Sequence, residues 1–165
     1  MNTNVNQSIS VNRVLAIVDW DADSERAAEA LRTAAEAGPA AFGLVVPARL
    51  HRLDWVGDPI ASVPCAERQL DAVAELAIRD GLDLARLGVG EPEALTAIRD
   101  ALLRWPADEI LLARARHLAP RPFNLARRVR RATRLPVRRI DARPAHGHAH
   151  CDAAPVSGRA RVAAR

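Results

Sequence analysis

Apolar residues in this chain come in short unbroken runs, separated by segments where they recur every three or four positions. VLAIVD, Val14 to Asp19, is an apolar run ending in an acid, the pattern of a strand buried on both faces. AFGLVV, Ala41 to Val46, repeats it and is closed by Pro47. Leu84 to Val89 makes a third strand, weakened by Arg86 and so placed at an edge. EILLA, Glu109 to Ala113, makes a fourth. PVRRI, Pro136 to Ile140, makes a fifth, with Val137 and Ile140 apolar.

The segments between the runs read as helices. Asp23 or Ser24 caps the first, Ala27, Ala28, Leu31, Ala34 and Ala35 form its apolar stripe, and Gly38 ends it. A stripe of alanine lets a helix lie close against a sheet. Cys65 to Arg79 has Leu70, Val73, Ala74, Ala77 and Ile78 at helical spacing, with Gly81 as the stop. Pro92 opens a third helix, in which Leu95, Ile98, Leu102 and Leu103 form the apolar face up to Trp105. Asn124 caps a fourth, LARRVRRATR, with Leu125 and Val129 facing inward and the arginines outward.

Five strands alternating with four helices predict an α/β fold: a five-stranded parallel sheet in the order 3-2-1-4-5, with helices on both faces. One domain is expected over residues 12–142. Residues 1–11 read as a flexible N-terminal tail, and 143–165, which lack any period, as a disordered tail rich in Arg, Ala and His. In such sheets ligands sit beyond the carboxyl ends of the strands, where the strand order reverses. That point lies between strands one and four, with Asp19, Trp20 and Asp21 on one side and the segment Arg114 to Pro122 on the other.

Composition narrows the picture. Aromatic residues make up only 3% of the chain and tyrosine is absent, so the core must be built from Ala, Leu, Val and Ile. No apolar run approaches the ~18 residues that cross a bilayer, and two cysteines without paired spacing fit a reduced, cytoplasmic setting. Every basic residue apart from histidine is arginine. Up to Ala113 there are 10 arginines against 18 acids, a net −8, whereas from Arg114 onward there are 14 against 2, a net +12. Such a split can mark an anion-binding face. The competing reading is ion pairing of the arginines with Asp19, Asp21 and Asp23.

The arrangement of VLAIVDWDADSERAAEAL, FGLVVP, GVGEPEALTAIRDALLRWPADEILLA and LPVRRI resembles the universal stress protein family over residues 12–141. The third of these segments is the most specific, being similar to the family's Gly-x-Pro turn, third helix and fourth strand. The resemblance is to a divergent branch, and it implies an adenine-nucleotide alpha-hydrolase-like, Rossmann-like fold. It also implies a regulatory role in stress response and a homodimer formed through the last strand. Many family members bind ATP, and many others do not. The resemblance places Asp19 near a ribose and Val46 where its backbone would meet a base. The residues around the crevice extend the candidate ligand-facing set to Trp20, Gly90, Arg114, Arg116, His117, Arg121 and Asn124.

The ATP-binding branch carries G-x2-G-x9-G-[ST] after strand four, and this chain departs from it. No glycine stands between Gly90 and Gly147. Glycines let successive backbone N–H groups converge on phosphate oxygens. ARARHLAPRP cannot readily form that nest, and Pro120 and Pro122 remove two donors. ATP binding of the family's usual kind is therefore not expected, and no cofactor is assigned. The alternative is a small acidic or phosphorylated ligand held by the forked guanidiniums of Arg114, Arg116 and Arg121.

Other chemistry finds little support. HGHAHC offers His146, His148, His150 and Cys151 as weak metal ligands without supporting groups around them. Asp19, Asp21 and Asp23 lack the glycine and glutamate of a calcium loop. Cys65 reads as a structural thiol with no base beside it. No catalytic constellation is present, so no enzymatic activity is expected. The arginines of 127–139 have no interleaved aromatic residues and no recognition motif, which speaks against nucleic acid as the partner.

Overall fold

A computed structural model describes residues 11–48, 62–114 and 125–143. Five strands, β1 (Asn12–Val18), β2 (Ala40–Pro47), β3 (Asp83–Gly90), β4 (Glu109–Arg114) and β5 (Val137–Asp141), alternate with four helices. These are α1 (Ser24–Glu36), α2 (Ser62–Arg79), α3 (Ala94–Arg104) and α4 (Leu125–Thr133). The sheet is wholly parallel in the order β3-β2-β1-β4-β5.

Burial of β1 follows its apolar run residue by residue. Val14, Ala16 and Val18 face one core together with α1 and α2, while Leu15 and Ile17 face a second core with α3 and α4. Side chains alternate across a strand, so a strand covered on both faces needs apolar residues at every position. α1 lies close over the sheet through Ala27, Ala28, Ala30, Leu31 and Ala34, and Asp23 caps it by accepting from the Arg26 N–H at 3.0 Å. β3 is the edge strand anticipated from Arg86. Its pairing with β2 shifts register between Leu44 and Val45, next to Gly88 at φ 102°.

Two glycines are fixed by close approach rather than by turns. A Cβ on Gly43 would lie 2.7 Å from Trp105 Cε3 and 2.9 Å from Leu87 Cδ1. Trp105 therefore lies flat on β2, and its ring also carries the Arg13 guanidinium 4.5 Å from its centroid. A Cβ on Gly90 would lie 2.7 Å from the Ala97 Cβ, so α3 rides directly over the end of β3.

That closeness corrects the expected face of α3. Its buried residues are Ala94, Ala97, Ile98 and Ala101, with Leu95 and Leu102 partly buried, whereas Leu103 is 84% exposed. A helix seated on a glycine turns its small residues inward. The start of α2 also moves, to Ser62, three residues ahead of Cys65. Cys65 itself is disulfide-bonded, not the free thiol expected. The expectations for the two tails fall on residues 1–10 and 144–165, outside the described residues, apart from Val11 and Arg143.

Candidate functional site

The register of the central strands builds the site. Val18 pairs with Ala113, and the Asp19 N–H donates to the Ala113 carbonyl at 3.0 Å. The next residue on each strand then stands at the same level, which sets Asp19 beside Arg114. The Arg114 Nε donates to Asp19 Oδ2 at 2.9 Å. The Asp19 side chain is 3% exposed and that of Arg114 25%. α1 leaves on one face of the sheet and α4 covers the other, so the pair occupies the point where the strand order reverses, as expected for a ligand crevice.

The surrounding turn is pinned from two directions. The Ala22 N–H donates to the Asp19 carbonyl at 2.9 Å, and the Asp23 N–H to the Ala142 carbonyl at 2.8 Å. Ala142 in turn donates to the Arg114 carbonyl at 2.9 Å, tying the end of β5 to the same rim. Gln69, on α2, is the other buried polar side chain among the described residues. Its Nε2 donates to the Ala22 carbonyl at 2.9 Å, and its Oε1 accepts from Ser24 Oγ at 3.1 Å. Sequence reasoning misses Gln69, since a lone glutamine on a helix carries no pattern. Its place on the inner face, one position before Leu70, is the available signal.

The remaining candidates divide. Trp20 is half-buried and packs against the core shared with α1 and α2. Val46 is fully buried and pairs with Val89 inside the ladder, because β2 continues to Pro47. Gly90 pairs with Pro47, and the Ala48 N–H donates to its carbonyl at 2.9 Å. The position of Ala97 accounts for this glycine without a ligand. Arg116, His117, Arg121 and Asn124 lie outside the described residues, as do His146, His148, His150 and Cys151. Among the described residues, no group of three or more His, Cys, Asp or Glu side chains could hold a metal ion, and no helix is long and apolar enough to cross a membrane.

At the N-terminal end of α3, Glu93 serves as N-cap. Its carboxylate accepts from the Thr96 N–H at 2.7 Å and Thr96 Oγ1 at 3.0 Å, and pairs with Arg128 on α4 at 3.2 Å. Burial pushes its pKa up, but the Thr96 N–H and hydroxyl, the Leu95 N–H and Arg128 together outweigh that and hold it below the ordinary 4.5.

No family model matches the chain, and no curated protein does. Solved structures share its fold. A protein from the universal stress protein family from Burkholderia pseudomallei aligns at 23% identity and a TM-score of 0.53, covering 78% of this chain and 96% of that one. A universal stress protein from Archaeoglobus fulgidus aligns at 20% identity and a TM-score of 0.54, covering 79% of this chain and 93% of that one. At these identities the comparison establishes the architecture, and this chain has the fold of those universal stress protein structures.

Proposed function

We propose that this chain is a non-enzymatic regulatory domain of the universal stress protein type, acting in stress response, whose strand-tip crevice is a degenerate nucleotide site. The observation that carries the reading is the Asp19–Arg114 pair. The carboxylate that would meet a ribose is already engaged by a guanidinium from the neighbouring strand. With no glycine between Gly90 and Gly147, the segment after β4 lacks the residues that let backbone N–H groups wrap a triphosphate. The same reading expects a homodimer formed through β5, an edge strand whose outer side no described strand covers.

A second reading is favoured by one feature of Arg114. Its Nε is the atom that engages Asp19, and the side chain remains a quarter exposed. Its outer nitrogens suit a small acidic or phosphorylated ligand, joined by Arg116 and Arg121.

Thermal-shift screening against ATP, AMP, cyclic nucleotides and acidic metabolites separates the two. A flat response across the panel is the expected result. Stabilisation by an acidic metabolite that disappears in Arg114→Ala/Arg121→Ala would instead establish the second reading. Sizing chromatography checks the dimer, and a monomer at high concentration removes it.

A further inference from the structure

We propose that the outer face of α4 and the adjoining end of β5 bind the phosphate backbone of a nucleic acid without reading its sequence. Ala126 and Val129 point α4 into the core. Arg127 and Arg131, four residues apart, share the opposite face, and Arg134 follows directly after the last turn. All three are exposed. Val137 packs in the core beneath α4. Arg139, two residues along β5 and exposed, emerges on the same side of the sheet. Arg130 bridges the two elements by donating to the Val137 carbonyl at 3.1 Å.

Three observations separate this face from an ordinary solvated surface. Over residues 125–143 the only acid is Asp141, and Arg127, Arg131, Arg134 and Arg139 make no ion pair with any described residue. Arg128 and Arg138 are the ones matched, to Glu93 and Glu109. Arg127 and Arg128 stand in the first turn of α4, which contains no acid, so they oppose the helix dipole instead of complementing it. Arg134 closes the helix at φ 61°, the left-handed position that glycine fills without strain, and its N–H donates to the Arg130 carbonyl at 3.0 Å. Arg131, in the last turn, complements the dipole, but helix stability explains neither the arginines of the first turn nor Arg134.

A row of guanidiniums without acidic partners among the described residues suits a linear array of phosphates better than one small anion. No large apolar residue is exposed on α4 or β5 among the described residues, so the face lacks the apolar anchor of a protein interface. It also lacks the aromatic residues that stack on bases, the ground on which the sequence alone speaks against nucleic acid, but that absence removes base contacts only. That leaves the phosphate contacts, which supply the sequence-independent part of nucleic-acid binding.

The test is fluorescence anisotropy of the full chain with labelled mixed-sequence duplex DNA and single-stranded RNA over a range of salt. Binding should weaken linearly on a log–log plot. Arg127→Gln/Arg131→Gln should lower the slope on duplex by about 0.9 for each phosphate no longer neutralised, equally for unrelated sequences. Arg134→Gly should raise the melting temperature while weakening binding, which a general failure of folding cannot do. Arg26→Gln/Arg79→Gln removes the same charge from the helices on the opposite face and should change little. The proposal falls if neither nucleic acid binds at low salt, or if the control pair weakens binding as much as the α4 pair. It also falls if phosphatidylserine vesicles bind through these arginines while nucleic acid does not.

Discussion

Replacing Arg114 by methionine should destabilise the domain by about 2–3 kcal/mol. A hydrogen bond to a charged group contributes about 1.5–3 kcal/mol. Removing one member of a buried ion pair costs about 3–5 kcal/mol, because the other charge stays behind. Asp19 keeps its charge at 3% exposure, while Arg114 at 25% lies near enough to solvent for water to take over part of its role. The lower part of the combined range therefore applies. For a chain of this size it corresponds to a fall in melting temperature of about 5–10 °C. The assay is urea unfolding of wild type, Arg114→Met, Asp19→Asn and the double variant. In this cycle the coupling between the two positions should be about 1–2 kcal/mol. It should persist in high salt, since a buried pair is only weakly screened. Single effects that add to within about 0.5 kcal/mol, or a coupling that vanishes in salt, would refute the reasoning.

Three further outcomes follow from the packing. Glu93→Ala should cost about 1 kcal/mol by uncapping α3. Because the folded carboxyl titrates below its ordinary 4.5, that contribution is present at neutral pH and lost as the pH falls through the lower folded value; urea titrations at neutral and acid pH should show the gap to wild type closing. Gly43→Ala should destabilise by about 1–3 kcal/mol through collision with Trp105, and thermal melts of a second variant with Trp105→Leu should recover part of the deficit. Leu103→Gln should stay within about 0.5 kcal/mol of wild type, while Ile98→Ala should cost about 2–5 kcal/mol, both read by denaturant midpoints.

The sheet is legible in the sequence because β1 and β4 are each built on an unbroken apolar run. VLAIV and EILLA leave no other reading, and the weakness introduced by Arg86 correctly marks an edge. α3 is read less well for a reason its neighbours supply. Hydrophobic periodicity weighs Leu103 above Ala97, but the helix sits on Gly90, where only a small residue fits. At the candidate site, Asp19 is visible as an acid at a strand end, and Arg114 as one of several arginines that could meet it. Which arginine does so depends on register, with Val18 opposite Ala113, and register is a property of two strands that neither displays alone. The same holds for Gln69, whose partners lie 45 and 47 residues away in sequence. The arginines of α4 are visible as a run. Which of them stand without an acidic partner emerges only in the fold, where Glu93 and Glu109 engage Arg128 and Arg138.

Isothermal titration of ATP into the wild-type chain tests the proposed degenerate site most directly. The account predicts no saturable heat, because Arg114 holds the carboxylate a ribose would need. A one-to-one isotherm with tight affinity would contradict it.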